Sequence, residues 1–285
     1  MFKRQRTGSI VCPGCGSLVG VNDETCYTCG RRYPGLWGFA PLIRNLGKDL
    51  GFVQFIMAGS IGLYLATLVA SRDPLGGGGL TNLLSPDVGA LGAFGASGAI
   101  PVFHFGRWWT VLSAGWLHGS LLHIFFNMLW VRQLGPEMAE LYGAGRTVII
   151  YTAASVVGFS LSSLMGLLLP DLPFIGGAGI SVGASAPIFG LLGALVYYGR
   201  RMGSSHIGAT AWQYAVVLFI FGLFWPRIDN WAHAGGYAGG YLTALWLDPS
   251  RRERVDHMIG GLLCLVLTMA AVAWSVVTGL RFLGG

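Results

Sequence analysis

The sequence predicts an all-α polytopic membrane protein with a small four-cysteine module at its N-terminus. Hydrophobic residues make up 53% of the chain and charged residues only 11%, far below the roughly 25% of charged residues in typical soluble domains. Apolar segments also recur at about the 20-residue length that a helix needs to cross a bilayer. Four of the five cysteines lie in the first thirty residues, apart from all of these segments.

The N-terminal module is predicted from residues 1–34, with residues 35–51 as a linker. It holds two CxxC pairs separated by ten residues: Cys12, Cys15, Cys26 and Cys29. This is the spacing of a structural zinc site, and about thirty residues need such a metal to fold. Disulfides would need an oxidising compartment. Because no apolar signal-peptide core precedes the module, we expect a cytoplasmic zinc ribbon, open to binding a cytosolic partner.

Seven apolar segments follow the linker, and each is predicted to be a transmembrane helix. They are residues 52–71, 114–134, 147–169, 184–199, 208–225, 231–248 and 258–280. The connection over residues 72–113 is long and rich in Gly, Ala, Leu and Trp, with few charges. Since tryptophan favours the headgroup region of a membrane, we expect this loop to lie in the membrane interface.

Basic residues predict the orientation of these helices. With the N-terminus inside, 14 of the 18 Lys and Arg residues lie in cytoplasmic segments. The four outside are Arg72, Arg107, Arg227 and Arg281. Because the positive-inside rule favours this arrangement, we expect a cytoplasmic N-terminus and an external C-terminus. No organellar targeting segment is visible in the sequence, so a bacterial inner membrane is the expected location. The net charge of +6 then reflects topology, and no nucleic-acid partner is expected.

Three of the predicted helices carry polar groups toward the same side of the membrane. Ser185 stands at the outer end of the fourth segment and His233 at the outer end of the sixth. His123 and Asn127 lie one helical turn apart in the second. Polar groups inside a membrane are costly and usually functional. We therefore expect these four side chains to meet in the outer part of the bilayer.

A serine and a histidine within hydrogen-bond reach suffice for nucleophilic catalysis, because the imidazole accepts the hydroxyl proton and returns it to the leaving amine. The developing oxyanion needs positioned donors, for which His123, Asn127 and the backbone amide of Ser185 are the candidates. No Asp or Glu lies in the outer half of any predicted helix. The sequence therefore predicts a dyad of Ser185 and His233 rather than a triad.

Several of these residues also have a plainer interpretation. A lone serine in a membrane helix usually hydrogen-bonds to its own turn, and a lone histidine can be a packing residue or part of a proton relay. His118 is assigned to packing or loop anchoring. The segment Gly95-Ala96-Ser97-Gly98 resembles a nucleophile motif as well as the residues around Ser185 do. However, Ser97 lies in the long loop with no base beside it, and it is expected to be flexible.

Small residues are expected to bring the fourth and sixth segments together. The sixth segment carries Gly235, Gly236, Gly239 and Gly240, and the fourth carries Ala186, Gly190 and Gly193. Small residues let membrane helices approach each other closely, because no side chain separates their backbones. Such a contact would bring Ser185 beside His233.

These residues, in their order and spacing, resemble the rhomboid intramembrane serine proteases over about residues 105–245. The shared patterns are His118-x4-His123-x3-Asn127, Gly183-x-Ser185 and Ala232-His233-x2-Gly236-x3-Gly240. The resemblance implies a six-helix core, here residues 52–248, with residues 249–285 adding a basic loop and a seventh helix. It also implies a Ser-His dyad, an oxyanion hole from His123 and Asn127, a membrane-embedded first loop, and cleavage of single-span membrane proteins near the outer face.

Three positions depart from the family pattern. Ala186, followed by Pro187, stands where the family often has glycine. Thr110 follows Trp109 where the family has arginine, although Arg107 is close by. The aromatic residue four positions after the serine is tyrosine in some members and Phe189 here, which could still pack against His233. None of these departures removes a reacting group.

The predicted function is therefore an intramembrane serine endopeptidase, with membrane proteins as substrates, the lipid bilayer as surroundings and no cofactor needed for catalysis. One alternative is a non-proteolytic rhomboid-like protein that binds membrane clients, which Ala186 and Thr110 leave open. The other is a transporter with His118, His123 and His233 as a proton path. Transporters usually show inverted repeats, and none is visible in this sequence.

Overall fold

The structure is a computed structural model that describes residues 4–12, 15–39, 48–73, 83–170, 176–225 and 228–279. The chain divides into two compact units, Met1–Gly51 and Phe52–Gly285. The finer predicted division, into a module, a linker, a six-helix core and an appended helix, stays a prediction.

The first unit is built on a small β-hairpin. Strand β1 is Ser9–Val11 and strand β2 is Leu18–Gly20, and the two pair antiparallel with Ile10 opposite Val19. These two side chains point to the same face and are buried against Cys12 and Cys26. The apolar core of this unit is thus only a few residues wide, and two of the cysteines belong to it.

The second unit is helical throughout its described part, as the fold class predicted. Its α-helices, in chain order, are α1 Phe52–Ala70, α2 Val88–Phe94, α3 Thr110–Ser113, α4 Leu121–Tyr142, α5 Ala144–Leu168, α6 Ser185–Met202, α7 Ser205–Phe224, α8 Asn230–Leu247 and α9 Val255–Gly279. Seven of them are long, and each overlaps one predicted transmembrane segment. Helices α5, α6 and α8 pack against one another at the centre.

Four of the described helices, α1, α5, α7 and α9, are long and apolar enough to cross a membrane by length and composition. The remaining long helices, α4, α6 and α8, carry the polar residues that the sequence singled out, which lowers their hydropathy. Much of α6 is buried inside the protein. A helix that is covered by other helices does not need lipid-facing apolar residues on every side.

The second predicted segment, residues 114–134, differs most from its helix. The residues Ala114–Trp116 form a separate 3₁₀ turn, and α4 begins only at Leu121, where the Ser120 side chain accepts a hydrogen bond from the His123 amide at 3.3 Å. The helix then continues past Arg132 to Tyr142. Hydropathy marks where the apolar sequence ends, whereas capping groups decide where the helix begins.

Residues 83–120 of the long loop between α1 and α4 are folded rather than extended. Besides α2 and α3 they contain a π-helical turn at Ile100–His104. Ser97, which we expected to be flexible, is 0% exposed. Its backbone pairs with that of Ser181 through two hydrogen bonds of 2.8 and 3.0 Å. The expectation was wrong because the partner segment is far away in the sequence, beyond the reach of any local pattern.

The last helix, α9, is hydrogen-bonded to this loop. Arg107 is only 6% exposed, and its guanidinium donates to the carbonyl oxygens of Gly92 at 2.5 Å and Ser275 at 2.9 Å. The indole of Trp109 donates to the Ser275 hydroxyl at 3.1 Å. A buried guanidinium needs such acceptors, so these bonds join the first loop and the seventh long helix.

Candidate active site

Ser185 is the first residue of α6. The amides of a helix's first turn have no partner within the helix, so the backbone N–H groups at Ser185 and Ala186 lie where an anion would be stabilised. Gly183, two residues earlier, adopts φ 131°, a conformation that L side chains rarely adopt. The chain therefore turns sharply into the helix just before the serine.

His233 lies in the first turn of α8 and faces this serine. Its Nε2 is 2.9 Å from the Ser185 Oγ, which is a normal hydrogen-bond distance. The imidazole is nearly buried, at 6% exposure. The ring of Phe189, one turn after Ser185, stacks on the imidazole with 4.2 Å between centroids and 12° between planes. Two helices thus supply a hydroxyl and an imidazole in contact, with an aromatic ring fixing the imidazole plane.

Backbone contact between α6 and α8 makes this distance possible. A Cβ atom added at Gly236 would overlap the carbonyl oxygen of Ala186, and one added at Gly240 would overlap that of Gly190. Helix α5 joins them, since a Cβ at Gly158 would lie 2.9 Å from the Ala186 Cβ. The three helices therefore meet at small residues, and no other residue type fits at these glycine positions without parting them.

The imidazole of His123 lies beside the turn that precedes the serine. A Cβ added at Gly183 would be 2.6 Å from His123 Nε2 and 3.7 Å from Ser185 Oγ. Both backbone conformation and space therefore require glycine there. Asn127, one turn further along α4, is also buried, and its side-chain amide donates to the His123 carbonyl at 2.9 Å. The structure brings His123 to the site, while this bond holds the Asn127 amide against its own helix.

His118 packs against His123, with 5.2 Å between their ring centroids. It is fully buried, and its assignment to packing or loop anchoring stays a prediction. Ser97 is surrounded by hydroxyls, with Thr110 Oγ1 at 3.3 Å and Ser163 Oγ at 3.5 Å. Because these neighbours are hydroxyls rather than a base, Ser97 lacks, within the described part of the chain, the partner that activates a serine nucleophile.

Sequence reasoning missed one acidic residue at this site, Asp229. Its carboxylate caps α8, accepting from the Ala232 amide at 3.0 Å, and also accepts from the hydroxyls of Ser162 and Ser181. Carboxylates were considered only within the predicted helices, and Asp229 stands just before one. The signal was available, because an Asp directly ahead of a helix is a common N-cap.

The four predicted metal-ligating cysteines form a second group, within the first unit. Their sulfur atoms all lie within 4.8 Å of one another, with Cys12 and Cys29 at 3.8 Å and Cys15 and Cys26 at 3.6 Å. All four are free thiols rather than disulfides. Hydrogen bonds with Ser17 lower the pKa of the Cys15 thiol to about 6, whereas, against an opposing backbone hydrogen bond, burial and the neighbouring sulfurs raise the pKa of the Cys29 thiol to about 11. The short distances between four free sulfurs are what a shared metal ion requires. The cluster could therefore hold a metal ion.

Comparisons with known proteins agree on one family. The family model described as Rhomboid domain matches residues 105–250. The chain is 34% identical over 142 residues to Rhomboid protease GluP of Bacillus subtilis (strain 168), covering 49% of this chain and 26% of that protein. It is 26% identical over 232 residues to Rhomboid-like protease 2 of Toxoplasma gondii, covering 74% and 75%. It is 31% identical over 134 residues to Inactive RHOMBOID-like protein 8 of Arabidopsis thaliana, covering 45% and 35%.

These relatives differ in length and in activity. The chain spans about a quarter of the length of the first relative and a third of the last, and one of the three is named inactive. The family match nevertheless covers just over half of this chain, and the matched range contains both Ser185 and His233. Together with the helical fold and its apolar spans, this match shows that the chain belongs to the rhomboid family, whose members are multi-pass membrane proteins and usually intramembrane serine proteases.

Proposed function

We propose that this chain is an intramembrane serine endopeptidase that uses Ser185 as nucleophile and His233 as general base and acid. The observation that carries the proposal is the 2.9 Å contact between Ser185 Oγ and His233 Nε2. It is formed between helices α6 and α8 of a rhomboid family member. A serine hydroxyl is a weak nucleophile unless a base in hydrogen-bond contact accepts its proton. This pair meets that requirement.

The reaction begins with attack of Ser185 Oγ on a substrate carbonyl carbon, while His233 Nε2 accepts the hydroxyl proton. The tetrahedral intermediate collapses as the imidazolium returns that proton to the leaving amine, which leaves an ester on Ser185. Water, activated by the same imidazole, then hydrolyses the ester. For Nε2 to accept a proton, the resting histidine carries its hydrogen on Nδ1.

The orientation of His233 does not depend on a carboxylate at its ring. Among the residues that the structure describes, His233 Nδ1 is buried without a hydrogen-bond partner. The Phe189 ring stacked on the imidazole and the backbone of α8 hold it instead. These features support a dyad. Phe189, at a position where some family members have tyrosine, makes the packing contact expected of an aromatic residue there.

Three donors are proposed for the oxyanion. The amide of Ser185 lies at a helix N-terminus, and the imidazole of His123 lies beside Gly183. The Asn127 amide would join them by turning away from the His123 carbonyl that it now contacts at 2.9 Å. Preorganised donors of this kind typically contribute a factor of about 10² to 10³ each to the rate.

The substrates proposed are single-span membrane proteins cleaved near the outer face. The basic residues support this orientation, with the N-terminus in the cytoplasm and the C-terminus outside. A bacterial inner membrane is the proposed location. Arg132 lies within α4 rather than after it, but it remains on the half of that helix away from His123. The lysine and arginine distribution is therefore unchanged.

The first unit is proposed to bind structural zinc through its four cysteines. Four sulfurs at about 2.3 Å from a tetrahedral zinc ion lie about 3.8 Å apart, and the two sulfur pairs, at 3.8 and 3.6 Å, fit that figure. Four protein ligands close the coordination shell, so the metal would stabilise the fold and leave no position for catalysis.

Cleavage of a single-span substrate by the purified full-length protein tests the protease proposal. We expect Ser185→Ala and His233→Ala to abolish cleavage, and a fluorophosphonate to label wild type but not Ser185→Ala. Ser205→Ala is a matched control, since Ser205 is also the first residue of a helix, α7. Labelling that survives in Ser185→Ala would assign the nucleophile elsewhere. A transporter would show neither cleavage nor labelling.

The second candidate is a non-proteolytic member that binds membrane clients, favoured by the similarity to an inactive relative. Two departures from the family pattern, Ala186 and Thr110, left this candidate open, and the structure accommodates both. Ala186 is buried between α5 and α8 without displacing the dyad. Thr110 donates to the Arg107 carbonyl at 2.7 Å, and Arg107 binds the loop carbonyls. Wild-type protein that binds several clients and cleaves none would establish this candidate instead.

A further inference from the structure

We propose that Asp229 is a positioning residue of the catalytic dyad, tying the segment that leads to Ser185 to the helix that carries His233. The inference rests on the proposed protease function and deepens it. Asp229 does not touch the reacting atoms. It acts through the backbone of α8 on one side and through two serine hydroxyls on the other.

The first set of contacts fixes the opening turn of α8. One carboxylate oxygen of Asp229 accepts from the Ala232 amide at 3.0 Å, and its backbone carbonyl accepts from the His233 amide at 3.1 Å. An N-cap side chain satisfies an amide that would otherwise have no partner, which holds the first turn closed. His233 is in that turn, so the cap fixes the position of the backbone that carries the imidazole.

The second set of contacts reaches the nucleophile segment. The other carboxylate oxygen accepts from the Ser181 hydroxyl at 2.6 Å and from the Ser162 hydroxyl of α5. Ser181 stands four residues before Ser185, is buried, and is paired through its backbone with Ser97. Hydrogen bonds to a charged acceptor are roughly twice as strong as neutral ones. One side chain thus connects three chain segments around the dyad.

These contacts complement the glycine packing deeper in the protein. The contacts of Gly236 and Gly240 set the spacing of α6 and α8 below the site, and Asp229 connects the first turn of α8 to α5 and to the segment that precedes α6. Without the upper connection, the first turn of α8 is free to open while the helix below stays packed. A displacement of about 1 Å at a reacting group can cost about 100-fold in rate.

Asp229 is not a third member of a catalytic triad. A triad carboxylate accepts a hydrogen bond from the histidine ring, whereas both Asp229 oxygens are engaged by a backbone amide and hydroxyls. The two roles predict different responses to the Asp229→Asn substitution. The asparagine side chain would keep an oxygen for the cap, and its amide would donate to a serine hydroxyl oxygen. A positioning role therefore survives Asp229→Asn, while a charge-dependent role at the ring does not.

The test compares Asp229→Ala and Asp229→Asn with wild type, as full-length protein in detergent. We measure kcat and KM on a single-span substrate, the rate of fluorophosphonate labelling, and the melting temperature. Asp229→Ala is expected to lower kcat and the labelling rate at least about tenfold, with KM within about twofold, because alignment rather than binding is lost. Asp229→Asn is expected to restore kcat to within about threefold.

Asp87→Ala is the matched control. Asp87 caps α2 by accepting from the Ala90 amide at 2.7 Å, so its loss removes a comparable cap away from the dyad. It is expected to lower the melting temperature without changing kcat. If Asp229→Ala does not fold, Ser181→Ala removes one of the two connections alone and is expected to slow labelling about threefold. Unchanged kcat in Asp229→Ala, or a loss that asparagine fails to restore, overturns the inference.

A measurement that needs no activity separates the inference from the proposed function. Amide hydrogen exchange at Ala232 and His233 is expected to be at least about tenfold faster in Asp229→Ala, because the capped turn opens more often. Faster exchange in a protein whose wild type neither cleaves nor labels would retain the structural connection and refute the protease. Unchanged exchange, beside an active wild type, would refute the role of Asp229 alone.

Discussion

Replacing Gly236 by alanine is expected to open the contact between α6 and α8 and to remove most of the activity. The added Cβ would overlap the Ala186 carbonyl oxygen and lie 2.8 Å from its carbonyl carbon, whereas ordinary Cβ contacts begin at 3.4 Å. Because the obstacle is backbone, no side chain can turn out of the way. The two helices must part by about 0.6 Å or more, the difference between these distances.

This movement acts directly on the dyad, because Gly236 is three residues after His233 on the same helix. It would stretch the 2.9 Å contact between Ser185 and His233 to about 3.5 Å, where a hydrogen bond is effectively lost. Since about 1 Å of misplacement can cost about 100-fold, we expect kcat to fall about 10- to 100-fold. Overpacking should also lower the free energy of unfolding by about 1–3 kcal/mol.

The assay is substrate cleavage and fluorophosphonate labelling, with the melting temperature measured on the same samples. Gly62→Ala is the control, since a Cβ added at that position of α1 meets nothing within 4 Å. It is expected to keep full activity. Wild-type kcat together with an unchanged melting temperature in Gly236→Ala would show that the two helices have room for the added methyl group, contrary to the expected overlap.

The remaining predictions concern three separate features. Phe189→Ala should slow labelling by removing the ring stacked on His233 at 4.2 Å, and Phe189→Tyr should preserve the rate; equal rates in both variants would dismiss the stack. Cys12→Ser should lower the zinc content measured by mass spectrometry from about one ion per chain, and full zinc in this variant would contradict the four-thiolate site. Hydrogen bonding with Arg201 holds the pKa of the Asp248 carboxyl well below its usual range. The ionised carboxylate therefore stabilises the fold fully above about pH 4, and this effect is lost at lower pH. Asp248→Asn should accordingly lower the melting temperature more at about pH 7 than at about pH 3. Equal shifts at both pH values would argue against a stabilising contact between Asp248 and Arg201.

The fold class was predictable from the sequence because its signals are local, and similar local signals led to the prediction of the dyad. Apolar segment length indicated the long helices, and Ser185 and His233 each stood at the start of one. The glycines that join α6 and α8 were visible as spacing patterns. The helix boundary at Leu121 was not visible in the hydropathy, because the Ser120 cap, rather than the apolar run, decides where that helix begins.

The features that escaped prediction depend on contacts between distant segments. Ser97 is buried because it pairs with Ser181, and nothing near Ser97 in the sequence indicates that partner. Asp229 was overlooked because carboxylates were considered only within the predicted helices, although its N-cap position was visible in the sequence. Its role depends on hydroxyls from two other segments, which its own position in the sequence does not reveal. Local rules thus describe helices and their ends, while the connections around the dyad require the assembled structure.

The bonds between the first loop and α9 have a consequence for the order of events during synthesis. Arg107 precedes Ser275 by 168 residues, so a ribosome must translate all of these residues before the guanidinium meets the Ser275 carbonyl. Until then a buried cation in the first loop lacks part of its hydrogen bonding. The hydrogen bonding of this loop is therefore completed only after α9 has been synthesised and has packed against it.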